Sequence, residues 1–220
     1  MARIARITIP GVPHHVTQRG NRKQNVFFSD ADRRLYLQII KEQALRFGLK
    51  IWAYCLMSNH VHFIVVPETG HSLSRGLGEA HRRYTRIINR RKGWTGFLWQ
   101  GRFASYPLDE KHLYAAIRYV ERNPVRAKIA QKAEEYPWSS ACAHVHGQTD
   151  SLLSANFLTD EIKDWADFLQ EPETENVVRA YQKHLNSGRP LGDEAFVRCL
   201  EAKTGRTLQK QKPGRAISST

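Results

Sequence analysis

Strand-like segments that alternate with helix-like segments restrict the fold of this chain more than any other feature of its sequence. Residues 12–19, 49–56 and 60–66 are rich in β-branched and aromatic side chains, which favour strands. Residues 29–47 and 73–91 instead carry apolar side chains at helical spacing. This interleaving, with short connections, predicts an α+β fold in which helices cover one face of a sheet.

The predicted helices carry recognisable end signals. Ser29 and Asp32 have the spacing of a capping box, and Gly48 suits the C-terminal cap of the same helix. A third helix is predicted over residues 109–123, capped by its first residue, and ends there because Pro124 disfavours helical geometry in the residue before it.

Charge divides the chain into three predicted parts. The 220 residues carry a formal net charge of +13, which favours a polyanionic partner such as nucleic acid. Residues 1–149 form a basic body. Residues 150–178 form an acidic helical connector, for which we expect one docked helix and a bend at Pro172. Residues 179–220 form a basic C-terminal extension ending in a mobile tail from residue 209 onward.

Two features indicate an intracellular protein. No apolar run approaches the ~18 residues that a membrane span needs, so no membrane partner is expected. Cys55, Cys142 and Cys199 are widely spaced and form no disulfide framework, which agrees with a reducing compartment. We therefore expect the protein in the cytoplasm.

The motif His60-Val61-His62 places two imidazoles on one face of a predicted strand, because side chains alternate along a strand. Two imidazoles on one face form half of a metal site, although such a pair is often only part of a polar outer face. The similar triplet at residues 144–146 precedes a turn and is interpreted as a chance surface repeat.

The third helix offers a second half of the site. Tyr119 and Asn123 lie one helical turn apart, so a nucleophilic phenol and an oxygen ligand can share a face. Tyr114 is the alternative nucleophile, but its neighbour one turn on is Arg118, which cannot bind a cation. Tyr119 could also be an ordinary aromatic at the core edge. Glu121 lies on another face, and we assign it a surface role.

Together these motifs resemble the HUH motif and the helical tyrosine of the single-tyrosine HUH transposases. Four ordered blocks are similar, more narrowly, to the REP-associated tyrosine transposases: residues 14–22 (HHVTQRGNR), 99–103 (WQGRF), 118–127 (RYVERNPVRA) and 136–140 (YPWSS). The tail resembles this family's C-terminal extension. Ser58 departs from the family, whose members often have proline there.

The resemblance implies a ferredoxin-like antiparallel sheet backed by helices, a catalytic domain over residues 1–149, and a DNA strand-transfer reaction. Tyr119 would attack single-stranded DNA at REP-like hairpins, leaving a 5′-phosphotyrosine that a reverse step rejoins. His60, His62 and Asn123 would bind Mg²⁺ or Mn²⁺, since open imidazole and oxygen ligation suits these ions. A nucleoid-associated transposase and endonuclease is therefore expected, as a monomer or a homodimer.

The DNA-binding prediction rests on basic residues near the motifs and on the second helix. They are Arg19, Arg22, Lys23, Arg82, Arg83, Arg86, Arg90 and Arg102. For each arginine of the helix, a merely solvated face is the competing interpretation. The competing function is a domesticated hairpin-binding protein or repressor with little catalysis, and a histidine-based metal store is a third, weaker alternative.

Overall fold

Four antiparallel strands form one sheet in the computed structural model, which describes residues 4–209. The strands are β1 (His14–Arg19), β2 (Leu49–Leu56), β3 (His60–Pro67) and β4 (Ala104–Pro107). Their spatial order is β2-β3-β1-β4, so β3 and β1 lie at the centre. The three predicted strands and the α+β class are confirmed.

Helices surround this sheet along the described part of the chain. The longer ones are α1 (Asp30–Phe47), α2 (Ser72–Lys92), α3 (Glu110–Glu121), α8 (Glu175–Ser187) and α9 (Glu194–Thr204). The shorter ones are α4 (Asn123–Arg126), α5 (Ala141–His146), α6 (Leu158–Glu161) and α7 (Trp165–Phe168). Short 3-10 turns cover Asn21–Lys23 and Ala133–Glu135.

The predicted helix ends are confirmed where local chemistry sets them. Ser29 and Asp32 form the reciprocal capping box of α1, and Gly48 closes the helix at φ 63°, which a side chain rarely tolerates. Asp109 caps α3 by accepting from the backbone N–H of His112 at 2.8 Å. Helix α3 ends two residues before the predicted Asn123, which instead begins α4.

Helices lie on both faces of the sheet, so the expectation of one covered face is wrong. Val61, Phe63 and Val65 of β3 pack with α1 and α2. Ile64, between them in sequence, points to the other face and packs with α3. Strand β3 is buried on both sides, which explains its nearly continuous apolar sequence. Helix α3 is therefore placed over the face that carries the two histidines.

Segments outside the strands complete the sheet at each side. Leu191 of the C-terminal extension pairs in parallel with Leu108, directly after β4. On the opposite side, Leu153 pairs with Ile51, and Ser139 pairs with Cys55, both in β2. Strand β4 escapes sequence analysis because it has only four residues and ends in proline.

The acidic connector docks on the α3 side of the sheet, but through two single helical turns, α6 and α7, rather than the one helix expected. Leu158 and Trp165 bury their side chains in the core around α3. Residues 210–220, most of the predicted mobile tail, lie outside the described range. Among the described residues, no helix has the length and apolar character needed to span a bilayer.

Glu121 and His144 are buried, which corrects two surface assignments. Glu121 has no solvent exposure and binds both the Ser140 hydroxyl and His144 Nδ1, the latter at 2.6 Å. The His144 ring stacks on Trp165 of the connector with centroids 4.2 Å apart. A buried carboxylate is stable only when paired, and these partners tie α3 to α5. The helical position of Glu121 indicated only that it faced away from Tyr119, not that other elements covered it.

Replacing Glu121 with alanine should lower the free energy of unfolding by about 2–4 kcal/mol, because Ser140 and His144 lose a buried acceptor and a void remains. Urea denaturation monitored by tryptophan fluorescence measures the change. Glu110→Ala is the matched control on the same helix; its carboxylate is exposed, so a change within about 0.5 kcal/mol is expected. Equal losses in both variants would contradict the role given to Glu121.

Candidate active site

The two histidines of β3 lie on the face covered by α3. The rings of His60 and His62 have centroids 5.1 Å apart at an interplanar angle of 82°. Val61 packs on the opposite face. The strand periodicity inferred from the sequence therefore holds, and both imidazoles face one cleft.

Helix α3 and the turn after it bring Tyr119 and Asn123 to these imidazoles. The ring centroids of Tyr119 and His62 are 5.8 Å apart. Asn123 is in hydrogen-bond contact with the His60 side chain, which raises the His60 pKa slightly against a larger opposing effect of burial. Although α3 ends early, α4 continues the helical path closely enough to keep Asn123 beside Tyr119. The alternative nucleophile, Tyr114, donates its hydroxyl to Glu161 of the connector and does not line this cleft.

His15 of β1 is a further member of the site, which sequence analysis quoted in a motif but gave no role. Its Nε2 lies 2.8 Å from His62 Nδ1, and its Nδ1 lies 2.8 Å from the Tyr106 hydroxyl. When His62 Nδ1–H donates to His15, and His15 Nδ1–H donates to Tyr106, the Nε2 lone pair of His62 stays free. A hydrogen bond of this kind orients a metal-binding histidine and sets its tautomer.

Asn59 orients the His60 ring through a hydrogen bond to its Nδ1. The side-chain oxygen of Asn59 lies 2.6 Å from His60 Nδ1 and can only accept, so a proton on Nδ1 satisfies it and turns the Nε2 lone pair toward Asn123. In these tautomers both histidines of the motif have a hydrogen-bond partner on Nδ1 and a lone pair on Nε2. This arrangement suits ligation of a cation.

Burial keeps these imidazoles neutral. Desolvation, aided by the nearby cations Arg19 and Arg126, lowers the pKa of His60 to about 4. The pKa of His62 lies well below its ordinary value for the same main reason, with the neighbouring imidazoles His15 and His60 adding to it. At neutral pH neither ring carries the proton that would block metal binding.

Tyr119 is held in a setting that opposes its ionisation. Its side chain is only 6% exposed, and burial raises the pKa of the phenol. The guanidinium of Arg126 counteracts this, since its carbon lies 4.0 Å from the ring centroid of Tyr119. A phenol in this state needs electrostatic help to attack.

The cleft has a volume of about 690 Å³ and includes residues from distant parts of the chain. Arg19 and Arg102, both predicted to bind DNA, line it together with the four predicted site residues. The C-terminal extension forms another wall through Gln182, Leu185 and Asn186 of α8. Tyr181 of the same helix contacts the Tyr119 ring, with centroids 5.0 Å apart.

The other predicted DNA-binding residues lie outside this cleft. Arg82 and Arg86 line a neighbouring cavity, whereas Arg83 forms an ion pair with Glu42 of α1. Arg90 is exposed near the end of α2. Arg22 and Lys23 are exposed in the turn after β1, where both have positive φ.

Sequence analysis missed Arg126 and Glu173. Arg126 follows Asn123 by three residues, a spacing that places both on one helical face, so this signal was available. Its guanidinium lies 3.8 Å from Glu173, whose side chain is only 6% exposed. Because Glu173 belongs to the acidic connector, far from the motifs in sequence, no local pattern places it there.

The donor set of the cleft fits a divalent cation. No group of three His, Cys, Asp or Glu side chains suitable for a metal exists within residues 4–209. Here, however, the third donor would be an amide oxygen: Asn123 is 5% exposed, and its amide nitrogen has no hydrogen-bond partner. Two neutral imidazoles and one amide oxygen leave positions for water and a substrate oxygen, as Mn²⁺ and Mg²⁺ accept.

The known proteins that this chain resembles are transposases. The model of the IS200-like transposase family matches residues 9–123. The fold is similar to that of a REP-associated tyrosine transposase bound to a REP hairpin, with 19% identity, a TM-score of 0.54, and coverage of 71% of this chain and 93% of that one. A candidate transposase from Deinococcus radiodurans gives 19% identity, a TM-score of 0.38, and coverage of 55% and 97% respectively. No curated protein matches the chain.

Lowering the pH from 7 to 5 should decrease the free energy of unfolding. In this interval the unfolded chain binds protons on histidines that stay neutral in the folded state. The free energy of unfolding therefore decreases as the pH is lowered, by about 1.4 kcal/mol per pH unit for each histidine fully affected. Among the described residues, the histidines whose pKa is lowered by burial are His14, His15, His60, His62, His81 and His184.

Urea titrations at several pH values measure this dependence. His81 has its pKa lowered to about 3 and pairs with the Tyr36 hydroxyl at 2.8 Å. In His81→Gln the Tyr36 hydroxyl keeps a hydrogen-bond partner, but the titrating imidazole is lost. The slope of the free energy of unfolding against pH should therefore decrease by the contribution of one histidine. A stability that is flat from pH 7 to 5 would contradict the burial of these rings.

Proposed function

The chain belongs to the family of IS200-like transposases, and on this premise we propose that it cuts and rejoins single-stranded DNA at REP-like hairpins through Tyr119. The observation that carries the proposal is the meeting of Tyr119 with His60, His62 and Asn123 in one cleft. All four lie within residues 1–149, the proposed catalytic domain. An ordinary core aromatic has no reason to face two neutral imidazoles whose lone pairs are free.

The proposed reaction conserves the energy of the phosphodiester bond. The Tyr119 oxygen bonds to phosphorus while the bond from phosphorus to the 3′ oxygen breaks. The phenol loses its proton and the 3′ oxygen gains one, which leaves a free 3′ hydroxyl and a 5′-phosphotyrosine. Attack by a 3′ hydroxyl on this linkage reverses the step and joins strands, so no nucleotide cofactor is consumed.

His60, His62 and Asn123 would hold Mg²⁺ or Mn²⁺, which as a Lewis acid supplies charge for the phosphate and its leaving oxygen. His15 and Asn59 keep the two imidazoles in the required tautomers. Because the histidines and the amide are neutral, the site would keep the full positive charge of the cation. This charge would attract an anionic phosphate.

Two arginines of the cleft are proposed to position the phosphate. Arg19 and Arg126 each lower the pKa of Tyr119, so both stand close enough to stabilise a phenolate. Arg126 also donates to the Tyr119 backbone carbonyl at 3.4 Å, which ties its guanidinium to the helix that carries the nucleophile. Their positive charge would act on the ionised phenol and on the phosphate alike.

The proposed partner is single-stranded DNA next to a hairpin, acted on in the cytoplasm at the nucleoid. The similar solved transposase is bound to a REP hairpin, and this chain carries a net charge of +13 with arginines around the cleft. Phosphate contacts are proposed from the basic residues predicted above. Because Tyr119 lies beside the histidines of its own chain, a monomer contains every proposed catalytic group.

Tyr119→Phe should abolish the covalent protein–DNA adduct, because the attacking oxygen is removed while the ring remains. The measurement uses end-labelled single-stranded REP hairpins with Mn²⁺, followed by a denaturing gel.

Tyr114→Phe is the matched control, since it removes a phenol from the same helix that lies outside the cleft. It should form the adduct at the wild-type rate. An adduct that persists in Tyr119→Phe would refute the nucleophile. A wild type that binds hairpins tightly with several metals but never forms an adduct would favour the binding-only alternative.

Asn123→Ala should raise the Mn²⁺ concentration needed for half-maximal adduct formation by about 10-fold or more, because one donor of the proposed site is lost. Titration of Mn²⁺ after removal of metal by a chelator measures this value. Asn186→Ala removes an amide of the same cleft that lies on α8, and it should leave the Mn²⁺ requirement unchanged. Equal requirements in wild type and Asn123→Ala would exclude Asn123 as a ligand.

A further inference from the structure

A second cavity adjoins the cleft, and we propose that it binds an unpaired base of the DNA strand whose phosphate enters the cleft. The inference rests on the proposed function. This side cavity has a volume of about 630 Å³ and lies between α2 and residues 96–103. Gln18 and Arg102 line both the cleft and the side cavity. These two residues link the cleft, on the α3 face of the sheet, to the side cavity beside α2, on the other face.

The floor of the side cavity is aromatic. His81 and Trp99 have ring centroids 4.9 Å apart, and His81 and Phe103 have centroids 6.0 Å apart. All three rings are buried, and the guanidinium carbon of Arg6 lies 3.5 Å from the Phe103 ring centroid, so the floor exists before any ligand binds.

The rim combines a flat apolar surface with positive charge. Phe97 is 82% exposed, which is unusual for a large aromatic side chain. Arg86, on the facing side of α2, has no ion pair among the described residues, whereas Arg82 is paired with Glu79. An exposed ring beside an unpaired guanidinium is the combination that proteins use to stack a base and neutralise its phosphate.

The exposed ring of Phe97 favours an unpaired base over a duplex. In double-stranded DNA the base faces are stacked and only their edges are accessible in the grooves. A recess with an aromatic floor gains most from a base whose faces are free. Arg82 and Arg86 thus receive a role distinct from that of Arg83, whose guanidinium is paired with α1.

The test compares Phe97→Ala with Leu45→Ala, which removes an equally exposed apolar side chain from α1. Fluorescence anisotropy with a short labelled oligothymidylate should show about tenfold weaker binding for Phe97→Ala and no change for Leu45→Ala. Phe97→Trp should keep the wild-type affinity, and a blunt duplex should bind all variants equally. An unchanged affinity of Phe97→Ala for the oligothymidylate, or an equal loss for the duplex, would overturn the proposal.

A salt titration of the same probe tests the phosphate contact. Arg86→Ala should reduce the slope of log affinity against log salt by about 0.7, the value for one contact to a single strand. Arg75→Ala, an exposed arginine of α2 outside the side cavity, should leave the slope unchanged. Equal slopes in wild type and Arg86→Ala would remove Arg86 from the proposal.

Binding does not require cleavage, so this inference and the proposed function fail separately. A wild type without adduct whose Phe97→Ala variant loses affinity for the oligothymidylate would refute strand transfer and retain the side cavity as a base site. Normal adduct formation together with unaltered oligothymidylate binding in Phe97→Ala would support strand transfer and refute the side cavity as a base site.

Discussion

The register of β1 against β3 decides where the reactive groups of this protein lie. Thr17 pairs with His62 and Arg19 with His60, so these side chains share one face of the sheet. His15, two residues before Thr17, points to that face as well and reaches His62 through a 2.8 Å hydrogen bond. A slip of one residue would turn the β1 side chains to the side of α1 and α2 and leave the histidine motif without its partner. The apolar residues between the reactive ones prevent such a slip, because each face of the sheet has its own core.

Desolvation has two opposite chemical effects in the cleft. The burial that strips protons from His60 and His62 also raises the pKa of Tyr119. The same environment therefore keeps the proposed metal ligands neutral and opposes ionisation of the proposed nucleophile. Arg126 offsets part of this resistance, but its charge is shared with the buried Glu173 of the connector. The balance between these two residues couples the acidic connector to the electrostatics of the cleft, although they are far from the histidine motif in sequence.

The sequence predicted those parts of the structure that depend on local periodicity or capping. Strand β2, the Ser29 cap and the common face of His60 and His62 follow from neighbouring residues alone. What it could not predict depends on packing between distant segments: the burial of Glu121 needs α5, and the wall formed by α8 needs the whole chain. The connector shows the limit in another way, since its apolar residues were expected to dock but their spacing suggested one helix where the chain makes two turns. His15 lay within a motif already quoted, yet its role became visible only when the strand pairing was known.

The pairing of Leu191, Leu153 and Ser139 with the sheet has a consequence for self-association. A bare edge strand offers unsatisfied N–H and C=O groups to any second strand. Here Leu191 pairs directly after β4, and Leu153 and Ser139 pair with β2. Both margins of the sheet are therefore partly covered by other segments of the same chain. A second copy that paired with the sheet at these positions would first have to displace the attached segments. The margins of the sheet are therefore protected where the bridges lie, at Ile51 and Cys55 on one side and directly after β4 on the other.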